Sequence, residues 1–251
     1  MTAMLEVDNV SRRFGGLMAV DSVTTHVGEG ELIGLIGPNG AGKTTLFNLI
    51  SGFTPVSSGE IRYRGEKISG LKPAAIAHRG ISRTFQNLRV FPNMSVFDNV
   101  SVGAVGAIGQ SPWQAITAGS KRAKQISERS WEALEKVGLT EYANELAANL
   151  AYGKRKYLEI ARALAMKPDL LILDEPAAGL NDSETAELAT FVKDLHGEGL
   201  TVMLVEHDMG LVMSICERIV VLASGKKIAD AEPALVRQNQ EVLEAYLGVD
   251  A

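Results

Sequence analysis

Gly37-Pro38-Asn39-Gly40-Ala41-Gly42-Lys43-Thr44 is the stretch that most narrows the folds open to this chain. It fits the spacing G-x-x-x-x-G-K-[ST] at every position, and Thr45 follows directly. An apolar run at 32–36 enters the loop, and residues 43–51 leave it with Leu46, Leu49 and Ile50 on one helical face. Strand, glycine loop and helix, in that order, are the setting in which this spacing holds phosphate. The glycines accept backbone angles that turn successive N–H groups toward anionic oxygens. The start of the following helix adds partial positive charge at the same place. Lys43 can reach the outer phosphates, and the Thr44 hydroxyl is placed for Mg²⁺. Alone, the loop leaves kinases, GTPases, helicases and transport ATPases all open.

The remaining pattern predicts an α/β fold. The last third alternates apolar strands (170–173, 201–205 and 219–222) with helical stretches (158–166, 184–195 and 209–215). Wholly apolar strands between helices indicate a parallel sheet covered on both faces. The first third reads as β-rich, with strands at 5–10, 17–27 and 61–63, and is expected to form an antiparallel β subdomain. Residues 95–148 are rich in Ala, Ser, Glu and Lys and predict an inserted helical subdomain. The α/β core would then be 1–94 with 149–251, within one domain. Trp131, Leu134 and Val137-Gly138 resemble the end of an amphipathic helix with its cap. Glycines over 103–109 argue against one long helix there. A single last helix is expected over 233–247.

Composition restricts the function classes. The net charge of −5 argues against broad nucleic-acid binding, so no nucleic-acid partner is expected. One cysteine, Cys216, cannot form an internal disulfide and sits in an apolar stretch, as a small buried hydrophobe would. No run of about 18 apolar residues is present, and the first residues do not resemble a secretion signal. Any membrane role is expected to come through a partner.

A second acidic site follows the strand Leu170-Leu171-Ile172-Leu173, which ends in Asp174-Glu175. The strand delivers both acids at its C-terminal end, where open α/β sheets bind ligands. Asp174 suits the Mg²⁺ shell, and Glu175 could polarise water for attack on a γ-phosphate. Together with Gln86, Leu150-Ala151-Tyr152-Gly153-Lys154 and His207, these motifs resemble the nucleotide-binding subunits of ATP-binding-cassette (ABC) transporters over nearly the whole chain.

The resemblance implies an ATPase that uses ATP and Mg²⁺. Phe14 would stack on adenine, and the loop from Gly37 to Thr45 would hold the phosphates. Thr44, Gln86 and Asp174 would meet the metal, and Glu175, His207 and Lys43 would act in catalysis. Ala151, Tyr152 and Gly153, at the start of the next helix, would face the nucleotide of a second subunit. Asn181 lies in the loop that meets that subunit. The common pattern in the family is Leu-Ser-Gly-Gly-Gln, so Ala151 lacks a hydroxyl and Lys154 replaces glutamine.

Arg83-Thr84-Phe85-Gln86-Asn87, Phe91-Pro92, Ala177-Ala178-Gly179-Leu180-Asn181 and the ending Ala245-Tyr246-Leu247-Gly248 resemble the branched-chain amino acid importer group. That group implies a peripheral subunit on the cytoplasmic face of the cell membrane. It would pair with itself or a paralogous ATPase and with two integral membrane permeases, and act indirectly for a periplasmic or extracellular binding protein. The alternatives are a lipopolysaccharide or lipid exporter ATPase and a soluble non-transport ABC ATPase.

Overall fold

The computed structural model describes residues 3–86, 88–108, 119–207 and 209–247. They form two compact units. One comprises Met1–Ile76 with Ile172–Ala251, and the other Ala77–Leu171.

In the first unit, β1 (Ala3–Phe14) and β2 (Leu17–Gly28) make a long antiparallel hairpin. β4 (Ser58–Tyr63) pairs antiparallel with β1, and β5 (Glu66–Lys67) with β4, giving the order β2-β1-β4-β5. Leu5, Val7 and Val10 are buried while Asp8 and Asn9 face out, the alternation of a sheet with one wet face.

The second sheet contains β3 (Leu32–Ile36), β6 (Ile81–Arg83), β7 (Leu170–Asp174), β8 (Thr201–Val205), β9 (Arg218–Ala223) and β10 (Lys226–Ala231). Its order is β10-β9-β3-β8-β7-β6. β3 runs parallel to both β8 and β9. Every residue of β3, β7 and β8 is buried, which is why these strands read as unbroken apolar runs. The expected parallel sheet is in fact mixed, because β10 returns antiparallel along β9. Ser224 and Gly225, with φ of 47° and 80°, make the reversal. β10 carries no apolar run because it is a half-exposed edge strand.

The helices of this unit are α1 (Lys43–Ile50), most of α2 (Pro73–Ala77), α6 (Asp182–Gly197), α7 (Met209–Ile215), α8 (Pro233–Gln238) and α9 (Gln240–Leu247). The single terminal helix expected over 233–247 is thus two. Asn239 is extended, with ψ of 118°, and its side chain accepts a hydrogen bond from the Val242 N–H at 3.2 Å, capping α9. α7 lies close on β3, because a Cβ on Gly34 would stand 2.6 Å from Val212 Cγ1.

The second unit packs α3 (Val96–Ala107) and α4 (Gly119–Lys136) against α5 (Tyr152–Leu164). It extends on both sides of the stretch 95–148 that the composition singles out. α3 runs through Gly103 and ends at Ala107. A Cβ at Gly103 would lie 2.1 Å from the Arg162 carbonyl oxygen, so this glycine serves close helix packing rather than a break. Leu134 is buried, and Gly138 follows α4 with φ of +68°, as the predicted cap requires. α5 starts at Tyr152, with Ala151 as N-cap, so the motif at 150–154 runs into the first helical turn.

Candidate functional site

β3 carries the chain under cover to Gly37, where the glycine loop opens. Gly37 and Gly42 have φ of +151° and +103°. A Cβ on Gly37 would lie 2.1 Å from the Leu222 carbonyl oxygen, and one on Gly42 2.5 Å from that of Ala19, so neither position admits a side chain. Gly40 also has positive φ but faces open space, which leaves the loop's crown free for a ligand to approach. The Ala41 N–H donates to Pro38 O at 3.1 Å, and the Gly225 N–H to Ala41 O at 3.0 Å. The hairpin turn between β9 and β10 therefore braces the loop.

Lys43 is buried and donates from Nζ to the carbonyls of Gly37 (2.7 Å) and Pro38 (3.1 Å). Burial draws its pKa below the usual lysine value, against the opposing pull of the Glu175 and Asp174 carboxylates. Thr44, next in α1, is exposed, and Thr45 is half-buried.

β7 delivers Asp174, and Glu175 follows it; only 3% and 5% of these residues is exposed. Glu175 holds φ of +49°, a left-handed conformation that costs a side chain strain. Its N–H donates to Val205 O at 2.9 Å, which pins it to the end of β8. His207, just past β8, puts Nε2 2.9 Å from Glu175 Oε2. The imidazole is about half exposed, at 48%.

Glu206 was not singled out by sequence reasoning. It is buried, and its carboxylate accepts from the Ala177 N–H at 2.7 Å and the His207 N–H at 3.3 Å. Burial raises its pKa, and those two N–H donors pull the other way. It ties the loop after Glu175 to the loop carrying His207. An acid between an apolar strand and a histidine was the available signal.

Phe14 is 45% exposed at the end of β1, with the Arg12 guanidinium 4.4 Å from its ring centroid. It is therefore not a core residue and offers an aromatic face. Asn181 caps α6: its side chain accepts from the Glu184 N–H, and the Glu184 carboxylate accepts from the Asn181 N–H, each at 3.0 Å. Tyr246 of α9 sets its phenol near the Gly37 N–H. The hydroxyl is buried and makes no hydrogen bond of good geometry there. Burial raises the phenol's pKa, opposed by that N–H.

In the second unit, Gln86 is exposed just beyond β6. Asn87, next to it, lies outside the described residues. Ala151 supplies no side-chain cap to α5. Tyr152 is exposed and Gly153 half-buried. Lys154 does not point freely into solvent. Its ammonium lies 3.6 Å from the Tyr142 ring centroid and donates to the Tyr142 hydroxyl. The Arg155 guanidinium donates to Leu150 O (2.8 Å) and Ala148 O (2.9 Å), fixing the turn before the helix. A groove of about 330 Å³ in this unit is lined by Arg83, Phe85, Arg89, Phe91 and Arg162, with Glu159 buried beneath. Asn99, wholly buried, bonds both the N–H and the carbonyl of Phe91 (2.8 and 3.0 Å) and shapes its rim.

Among the described residues no three acidic, histidine or cysteine groups cluster as a self-sufficient metal site.

The ABC transporter family model matches residues 20–178, and the model for branched-chain amino acid ATP-binding cassette transporters matches 226–251. The chain is 45% identical to the high-affinity branched-chain amino acid transport ATP-binding protein BraF of Pseudomonas aeruginosa, with 98% of each chain covered. Among solved structures it is similar to the ADP conformation of MJ1267, an ATP-binding cassette of an ABC transporter. The TM-score is 0.87 and the identity 30%, over 99% of this chain and all of that one. The dimeric structure of MJ0796, a bacterial ABC transporter cassette, matches at TM-score 0.77 and 26% identity, over 92% of this chain and 99% of that one.

Proposed function

The chain belongs to the ABC transporter family and is an ATP-hydrolysing subunit of such a transporter; from that premise we propose that it powers the import of branched-chain amino acids or a closely related small solute. The observation that carries the chemistry is the Glu175–His207 pair, 2.9 Å apart and set between the ends of β7 and β8. The family match at 226–251 favours import over lipid export.

In this reading Gly37, Pro38, Asn39, Gly40, Ala41, Gly42 and Thr45 hold the phosphates of ATP through the loop and the start of α1. Lys43 leaves its two carbonyl partners for phosphate oxygens. That exchange replaces neutral acceptors by anionic ones and returns the lysine toward its usual basicity. Phe14 stacks on adenine. Thr44, Asp174 and Gln86 would hold Mg²⁺. One buried carboxylate with neutral oxygens suits that ion, which prefers to keep waters and phosphate oxygens in its shell. When bound, it draws charge from the phosphate oxygens during transfer. Glu175 takes a proton from the attacking water, and His207 orients Glu175 through their short contact. Glu206 is a positioning residue that holds His207 in reach.

Ala151, Tyr152, Gly153 and Asn181 are assigned to the nucleotide bound by a second cassette, identical or paralogous. The uncapped start of α5 supplies backbone N–H groups for it, and Asn181 meets it while capping α6. The groove between Arg83 and Arg162 receives one of two integral membrane permeases at the cytoplasmic face of the membrane. A substrate-binding protein outside acts through those permeases.

A tagged Glu175→Gln chain recovered from detergent-solubilised native membranes in the presence of ATP tests this. Two integral membrane proteins are expected to co-purify. Recovery of soluble, nucleic-acid-associated partners alone would overturn the transport role and leave the ATPase chemistry standing.

A further inference from the structure

A pocket of about 300 Å³ opens between α7 and the α8–α9 pair. Its walls are Met209, Met213, Val236, Val242, Leu243 and Tyr246. Apolar walls of this extent favour an aliphatic ligand, and two methionines let the pocket adjust to branching. The one formal charge in the lining is Arg237. It is exposed. An apolar slot with a single guanidinium at its edge is complementary to a short branched hydrocarbon ending in a carboxylate.

The pocket is also joined to the nucleotide site. Met209 lies two residues beyond His207, which meets Glu175. Tyr246 reaches from the pocket wall to the Gly37 N–H, at the first glycine of the phosphate loop. α7 itself lies so close on β3 that Gly34 cannot be replaced there without displacing Val212. A ligand that alters α7 or Tyr246 thus acts on both arms of the ATP site.

We propose that this pocket is a second ligand site, for a small branched aliphatic carboxylate with its acid group on Arg237, coupled to the nucleotide site through Tyr246 and α7. Two sources share that chemistry, a branched-chain amino acid and its 2-oxo acid. The binding step stands on the pocket alone. The coupling rests on the reading of Gly37 and His207 as nucleotide-site residues.

Isothermal titration of the full chain with leucine, 4-methyl-2-oxopentanoate and leucinamide tests it, with and without a slowly hydrolysed ATP analogue. Saturable binding of leucine or the oxo acid at one site per chain is expected, with leucinamide failing to bind. The stronger of the two acids identifies the source. Arg237→Gln should weaken binding about tenfold or more, in line with loss of a charge-assisted pair. Met213→Trp, which fills the pocket, should abolish it while the melting temperature stays close to that of the parent. The analogue should shift carboxylate affinity several-fold, and the carboxylate should shift ATP affinity by the same factor. Absence of binding, or binding indifferent to both substitutions, overturns the site. Binding that Arg237→Gln weakens but nucleotide leaves unchanged keeps the site and overturns the coupling. Normal ATP binding beside a failed titration separates this proposal from the ATPase reading.

Discussion

Glu175 carries two burdens at once, a left-handed backbone and a buried carboxylate, and it bears them beside His207 and Lys43. Strain of this kind persists where neighbours over-determine it, here through the Glu175 N–H on Val205 and the bond to His207. Glu175→Gln keeps the shape and removes the base. ATP binding should persist while turnover falls by about 10²–10⁴, read by equilibrium binding beside phosphate release. Near-normal turnover would remove Glu175 from the role of base. Lys43→Ala should instead lose phosphate affinity, and unchanged nucleotide binding would contradict the role given to the loop. Cys216 is buried, and that burial pushes its thiol up to about 12. It should resist alkylation at pH 8 in the folded chain and react on denaturation; fast labelling of the native protein would refute the buried thiol. At this scale the glycine loop and the acid pair were legible, because each is written in adjacent residues of the chain. Glu206 and Tyr246 were not, because their partners, Ala177 and Gly37, are distant in sequence.

At the scale of elements, two glycine-dependent contacts set helix positions. Gly103 allows α3 to rest against the Arg162 carbonyl of α5. Gly103→Val should destabilise by about 1–3 kcal/mol, despite the better helix propensity of valine, because the clash is with backbone. Thermal unfolding followed by circular dichroism would show it, and an unchanged or raised melting temperature would exclude the tight contact. The capping box of α6 is a second local device. Asn181→Ala should cost about 1 kcal/mol in stability, measured by urea unfolding. The same substitution separates the cap from the proposed intersubunit role: ATP-dependent dimerisation that survives unaltered would confine Asn181 to the cap. Strand–helix alternation was readable at this level because buried strands and amphipathic helices have different periods. The break at Asn239 and the edge strand β10 escaped, since a polar half-exposed strand and a two-helix ending lack a strong period.

Across the first unit, Arg218 gathers chain segments far apart in sequence. Its guanidinium bonds Glu31 and Asp230, each at 2.6 Å, and the His26 carbonyl, joining β2, the entry to β3, β9 and β10. Burial works against the Asp230 charge, but the hydrogen bonds from Lys227 and Arg218 outweigh it and hold its pKa below the usual value of 3.8. A carboxylate with a depressed folded-state pKa adds stability above its unfolded value, and that stability is lost as pH falls through the lower folded one. Arg218→Gln should therefore cost about 3 kcal/mol at neutral pH. It should also flatten the loss of stability on acidification below about pH 4. Parallel wild-type and variant curves in an acid titration of unfolding would exclude the network as the cause. By itself the sequence determined the α/β class, the glycine loop between β3 and α1, the acids at the end of β7 and the family, since each is written in short-range spacing or in apolar runs that only burial explains. The tertiary structure alone decided that β10 closes the sheet antiparallel, that Glu175 meets His207, that Arg218 joins three strands and the entry to a fourth, and that a pocket opens between α7 and the α8–α9 pair. Those are meetings of residues tens to hundreds of positions apart, and no local pattern in a chain encodes which of its distant side chains will share one enclosed space.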